Sequence, residues 1–308
     1  MNSSSSNLIQ WRMGQLAAHI VVALVSLIVL GGATRVMEAG LACPDWPLCF
    51  GTFLPGRQMN IQVFLEWCHR LDAFLVGIAL VVQLVLTFIW RAHLPRWLPW
   101  ASSLLLFLVV LQAGLGALTV LNLLPSGVVT AHLVLALILI AAMSGVTQSL
   151  LFPSSLQSPL WWRLMAGGGL IALISQSLLG ARMATTWAAQ RCLAQAQGCL
   201  WLELHRFFAI TVAAWLLFFV IISLLAGGWT RSQWPSLLAV FVLVITQVSL
   251  GLLTLEFGLK QPALTVSHQL LAALLVALLS ALSFRRPQEK EVILPAMTKE
   301  TFLEPCHG

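Results

Sequence analysis

Charged residues are scarce. Lys and Arg total 16 and Asp and Glu total 10, together 8% of 308 residues. That excludes a large soluble domain, whose surface needs far more charge. The formal net charge is +6 and the pI is 9.4, yet the basic residues never gather with aromatics on one face. They are scattered singly through short connections, which excludes a nucleic-acid partner and suits orientation in a bilayer. The first apolar run has no small-x-small cleavage site before or after it, and "MNSSSSNLIQWRMGQ" lacks the arginines of an organelle presequence. The first run therefore reads as a retained span in a bacterial cytoplasmic membrane.

What is abundant is oil. The chain is 59% hydrophobic with a mean hydropathy of +0.94. Crossing a hydrocarbon core takes about 20 mostly apolar residues. Runs of that kind lie near 15–34, 66–90, 99–121, 128–151, 162–181, 202–226, 236–256 and 263–284. They predict an all-α polytopic membrane protein with eight transmembrane helices, surrounded by membrane lipid. Inner segments hold Arg12, Arg91, Arg96, Arg163, Arg231, Arg285, Arg286, Lys290 and Lys299, nine of the sixteen basic residues, a slight excess that places both termini in the cytoplasm. Residues 1–14 are then a cytoplasmic N-terminus, and 285–308, charged and proline-punctuated, a cytoplasmic tail.

The chain also repeats itself. "EWCHR" at 66–70 returns as "ELHR" at 203–206, and "LQAGLGALTV" at 111–120 returns as "TQVSLGLLTL" at 246–255. Gln112 pairs with Gln247, Gly116 with Gly251 and Thr119 with Thr254, while His69 to His132 and His205 to His268 are both separations of 63 residues. Each half holds four spans and so returns to its starting side, which predicts two pseudo-symmetric four-helix bundles, 15–151 and 162–284, related by an axis along the membrane normal.

The repeat places His69, His132, His205 and His268 at one depth, about one turn inside the outer start of alternate spans. In an up-down-up-down bundle those spans are diagonal neighbours, so each half can point two imidazoles at each other across its core. Ionisable groups inside membranes are costly and usually functional. Zinc or copper would also take imidazole, but a facing pair with no third ligand in register suits the axial positions of a haem better. His19, His93 and His307 have no echo in the other half and read as interfacial.

Outer loops carry two cysteine pairs, Cys43 and Cys49 in "CPDWPLC" and Cys192 and Cys199 in "CLAQAQGC". On an oxidising face they can form local disulfides that stiffen a lid, or serve as exchanging redox pairs. Cys68 and Cys306 have no counterpart. Glu66 stands three residues before His69 on the same helical face, whereas its equivalent is Leu202 and Glu203 points away. A carboxyl at the edge of a low-dielectric pocket can move protons, or it can simply pair with Arg70. Arg70 and Arg206 follow histidines directly and stand where haem propionates would lie, although snorkelling towards the interface would place them there too.

"GGATRVMEAGLACPDWPLCFG", "EWCHR" and "TAHL", together with the duplicated eight-span layout, resemble the haem A synthase family over residues 15–284. The resemblance implies an enzyme that oxidises the C8 methyl of haem O to a formyl group, giving haem A for cytochrome oxidase. It implies haem O as substrate between His69 and His132, haem b as cofactor between His205 and His268, and Glu66 as the required acid. Its first cysteine pair matches Cys43 and Cys49 closely, its second Cys192 and Cys199 more loosely. Hand-over from haem O synthase and an electron acceptor are implied partners, and self-association is left open. The alternatives are a di-haem b membrane electron-transfer protein and a duplicated transporter.

Overall fold

The computed structural model describes residues 3–288, with side chains from Ser6 onward. The readings placed on Lys290, Lys299, Cys306, His307 and the rest of the tail lie outside the described residues. Ten α-helices run in order: α1 (Ser3–Val36), α2 (Ile61–Ile89), α3 (Leu98–Leu121), α4 (Ser126–Leu151), α5 (Leu160–Thr185), α6 (Ala188–Gln195), α7 (Cys199–Leu225), α8 (Gly228–Ser232), α9 (Trp234–Glu256) and α10 (Pro262–Phe284). Eight of them, all but α6 and α8, are long and apolar enough to cross a membrane. The chain is thus a multi-pass membrane protein, with no strand among its described residues.

Helix α1 differs from its expected bounds, starting at Ser3 instead of near residue 15. Its polar first turns have partners near the ends of α2 and α4. Ser6 Oγ bonds His93 Nδ1 at 3.1 Å, Gln10 donates to the Leu150 carbonyl at 3.3 Å, and Met13 is buried. Backbone groups in a helix need no water, so a polar stretch with such partners extends the span. The sequence also gave no sign of α6, which carries Cys192 and is bonded through Cys199 to the start of α7.

Neighbour contacts close two rings. Helix α1 packs on α2 and α4 while α3 packs on α2 and α4; in the second half α5 and α9 each pack on α7 and α10. The rings meet where α10 lies against α1 and α4, and where α4 lies against α5. Lipid tails are as apolar as leucine, so helices here gain little from hydrophobic burial and rely on close packing and interhelical hydrogen bonds. Small residues permit the close approach: a Cβ added at Gly145 would stand 2.8 Å from the Phe284 ring, and one at Gly169 2.7 Å from Leu216.

Across the seam, α4 and α10 exchange matching bonds. Ser144 Oγ donates to the Ala277 carbonyl at 2.6 Å, and Ser280 Oγ donates to the Ala141 carbonyl at 2.5 Å. Each serine reaches the carbonyl three residues before its counterpart, the reciprocal pattern a two-fold axis between parallel helices produces. Replacing Ser144 and Ser280 by Ala should each cost about 0.6 kcal/mol. Unfolding in mixed micelles should show the double variant losing about twice that, and a double variant as stable as the parent would remove the seam bonds from this account.

Candidate functional site

The eight spans are also four hairpins, and each places a glycine of its first helix against a histidine of its second. A Cβ added at Gly31, Gly116, Gly180 or Gly251 would stand 3.1, 3.3, 3.0 and 3.1 Å from Cε1 of His69, His132, His205 and His268 respectively. Only glycine lets an imidazole lie so close to a neighbouring helix backbone. The histidines sit six positions beyond Ser126, Cys199 and Pro262 and eight beyond Ile61, nearer two turns than one into their helices.

One turn before three of those glycines stands a glutamine. Gln112 Nε2 donates to the His132 carbonyl at 3.0 Å, and Gln176 Nε2 lies 2.7 Å from the His205 carbonyl and 3.0 Å from its Nδ1. His268 Nδ1 donates to the Gln247 main-chain carbonyl at 3.0 Å, with the Gln247 side-chain nitrogen 3.3 Å from Nε2. An imidazole held through Nδ1–H presents Nε2 as a metal ligand. In the first hairpin the matching position is Leu27. Sequence reasoning found Gln112, Gln247, Gly116 and Gly251 but missed Gly31, Gly180, Gln176 and Leu27. The signal was Q-x-x-x-G in three spans and L-x-x-x-G in the fourth, visible at a period of two spans instead of four.

All four histidines line one continuous cavity of about 2150 Å³. Sites for single small ligands run to roughly 1,000 Å³, so the space accommodates more than one large apolar molecule. No group of three or more His, Cys, Asp or Glu side chains among the described residues could hold a metal ion by itself. A macrocycle that supplies its own equatorial nitrogens needs only an axial pair. Nδ1 of His69 and of His132 and the side-chain oxygens of Gln112, Gln176 and Gln247 are buried without hydrogen-bond partners. Paired imidazoles, glycine cradles and apolar walls fit a haem in each half.

The mouth of the first ring nearest the histidines is closed by the loop after α1. Cys43 and Cys49 form a disulfide and are both buried, packed with Val63. Asp45 accepts the N–H groups of Phe50 at 2.6 Å and Gly51 at 2.8 Å, and Trp67 Nε1 donates to the Phe53 carbonyl at 2.7 Å. Arg70 ties this lid to the helix below. Its guanidinium donates to the carbonyls of Asp45 at 2.6 Å, Cys43 at 3.2 Å and Leu48, and pairs with Glu66 at 2.5 Å. Glu66 also accepts the Cys43 N–H at 2.8 Å. Of the two readings of Glu66, the geometry supplies the pairing with Arg70, and both carboxylate oxygens belong to the lid network.

The second half lacks this arrangement. Leu202 lines the cavity at 7% exposure where Glu66 stands at 4% in the first half, and Glu203 is exposed. Cys192 and Cys199 are bonded as well, and Cys68 is a free, half-buried thiol. Arg206 lines the cavity and makes no hydrogen bond or ion pair among the described residues. Arg35 lies over the Trp187 ring at 5.3 Å and donates to the Ala184 carbonyl, joining the C-terminal ends of α1 and α5.

Fold and site define a helical multi-pass membrane protein that presents two histidine pairs to a shared apolar cavity. A family model described as "Cytochrome oxidase assembly protein" matches residues 15–280, and the chain belongs to that family, COX15-CtaA. It is similar to Heme A synthase of Sphingopyxis alaskensis, 27% identical across 91% of this chain and 94% of the relative. Heme A synthase of Bradyrhizobium diazoefficiens is 30% identical over 53% of this chain and 55% of its own. Over 34% of its length the chain is also 34% identical to 22% of Protoheme IX farnesyltransferase from Halobacterium salinarum.

The lid gives a pH prediction. The Gly51 N–H, with that of Phe50, holds the Asp45 carboxyl below its usual range. A lowered folded value means that Asp45 contributes fully above the unfolded value of about 4 and loses that contribution as pH falls through the lower folded one. Hydrogen exchange corrected for intrinsic rate should show the Phe50 and Gly51 amides protected from about pH 5 upward and progressively exposed below about pH 4. Asp45→Asn should exchange faster at neutral pH, and unchanged protection there would contradict the role given to Asp45. Arg70→Lys, which cannot span four acceptors from one nitrogen, should speed exchange across residues 43–49.

Proposed function

We propose that the chain is a haem A synthase, an oxidoreductase that converts the C8 methyl group of haem O to a formyl group and so supplies haem A to cytochrome oxidase. In this reading residues 15–151 form the substrate half, with haem O between His69 and His132. Residues 162–284 form the cofactor half, with haem b between His205 and His268. The observation that carries the assignment is the buried Glu66, which lines the cavity one turn from His69 while its equivalent is Leu202. Only one half combines paired imidazoles with a carboxylate, and turning a methyl into an aldehyde releases protons as well as electrons.

Bound haem would supply the electron-transfer and oxidation chemistry. The residues of the chain would do the rest. The histidine pairs fix each macrocycle at a common depth, and the apolar helix walls exclude water. Arg206 is a free cation at the rim for a propionate, whereas Arg70 is spent on the lid. Because Glu66 is bonded to both Arg70 and the Cys43 N–H, its carboxylate becomes available to take a proton when the lid lets go. Opening of residues 43–49 and readiness of the acid are thus one event.

In this reading the protein sits in a bacterial cytoplasmic membrane, with both termini inside on the strength of nine inner basic residues against seven outer ones. The likeness to part of a Protoheme IX farnesyltransferase supports direct hand-over of haem O, a product too lipophilic to travel freely. Electrons leave to a further acceptor.

The test is a pair of variants. Glu66→Gln should reduce haem A formation by at least about 100-fold while the b-type spectrum of the purified protein persists. His205→Ala should lose that spectrum. A normal haem A yield from Glu66→Gln would remove the acid from the reaction, and an intact b-type spectrum in His205→Ala would remove the second pair from haem binding.

A further inference from the structure

The lid over the first histidine pair is apolar on its exposed side. Leu41, Trp46, Leu48, Phe50, Phe53 and Leu54 are all exposed, Phe53 at 62% and Leu54 at 60%. Between Ala39 and Gly56 the only charged residue is Asp45, and its carboxylate is engaged by the N–H groups of Phe50 and Gly51. Six large apolar side chains on a loop without a free charge mark an interaction surface.

The main chain of the lid directs its polar groups to partners within the protein. Cys49 and Thr52 exchange both N–H to carbonyl bonds, and the Cys43 N–H goes to Glu66. Carbonyls of Cys43, Asp45 and Leu48 accept from Arg70, that of Phe53 from Trp67, and that of Leu54 from the Thr52 hydroxyl. Pro44, Pro47 and Pro55 have no N–H to satisfy. Irregular backbone beside lipid needs such internal pairing, whereas a loop in water does not.

The tip of the loop also lies at the level of the membrane edge. Trp67 Nε1 holds the Phe53 carbonyl at 2.7 Å, so the tip folds back beside the second turn of α2. With 29 residues, α2 is about 43 Å long against a hydrocarbon core of about 30 Å. Centred on the core, it extends about 7 Å beyond it at each end, and Trp67, about 9 Å from its start, is level with the edge. Aromatic residues gather at that level in membrane proteins. Ile61, Phe64 and Phe74, exposed on α2, make the lid surface continuous with that of a membrane-spanning helix, and the Phe64 ring is 6.4 Å from that of Trp67. The connection capping the second half differs, exposing Arg191, Gln195 and Gln197 beside Trp187 and Leu193.

We propose that the lid docks on the bilayer, at the interface nearest the histidines, with Phe53 and Leu54 among the headgroups and the first carbons of the acyl chains. The cap of the second half, at Gln197, stays in water. Phe53 and Phe74 are exposed and also line the cavity, so a single layer of side chains separates lipid from cavity there. On the reading of haem O as substrate, that ligand then reaches the lid from the bilayer without crossing water.

The experiment uses the full-length protein in phosphatidylcholine vesicles, with p-benzoylphenylalanine in place of Phe53, Leu54 or Gln197, one position at a time. Irradiation joins the benzophenone to a C–H group lying against it, and intact mass spectrometry reads the product. At the two lid positions the protein should gain the mass of a phospholipid, and at Gln197 it should not. Absence of a lipid adduct at both lid positions would place the lid in water and overturn the proposal. A product of twice the protein's mass would overturn it too, since a second copy would then cover the lid. Equal lipid adducts at Gln197 would overturn the contrast between the halves. If one lid variant fails to fold, the other carries the same test. The readout needs no bound haem, so its failure and the failure of the haem O reading are separate events.

Discussion

The site depends on an imidazole resting against bare helix backbone. At Gly31, Gly116, Gly180 and Gly251 an added Cβ would come within 3.0–3.3 Å of a histidine ring. A larger residue at any of them would push that ring towards the centre of its bundle or out of its rotamer. Glycine in a helix interior costs about 1 kcal/mol in water, and membrane helices tolerate it more readily. In return the hairpin gains a fixed ring position, and a residue one turn earlier comes within reach of the histidine. The same device used four times brings four imidazoles to one cavity.

Upon this near-symmetric frame the halves diverge at a few side chains. Glu66 against Leu202 gives one half a carboxylate, and Leu27 in that half stands where the other hairpins carry a glutamine. The lid adds a third difference, since Arg70 binds three loop carbonyls and the acid while Arg206 has no such partners. A duplicated scaffold can thus carry different side chains around its two histidine pairs. These differences leave the packing of the two rings untouched. The seam between the rings keeps its reciprocal serine bonds, so the halves diverged in chemistry without parting in structure.

Much of this was legible in the sequence because membranes impose simple rules. Span length follows from hydrocarbon thickness, and a four-span repeat shows itself in matched residues such as Gly116 with Gly251. What stayed hidden depends on contacts between segments distant in the chain. Nothing local says that Arg70 turns to the carbonyls of residues 43, 45 and 48 and not to a ligand, since the destination is set by the path of a folded loop. The helical start at Ser3 rests on His93 and Leu150, both remote. Helix α6 is too short and polar for hydropathy to reveal. Gly31 and Gly180 were present in the pattern but become meaningful only when each hairpin, instead of each half, is taken as the repeating unit.

The central claim is that two haem sites in one molecule do different work. It is tested most directly by the pigments extracted from the purified protein after co-expression with a haem O supply. The account predicts haem b together with haem A or a hydroxylated haem O intermediate. Haem b alone would contradict it and leave a di-haem electron carrier, and a colourless protein would contradict haem binding altogether.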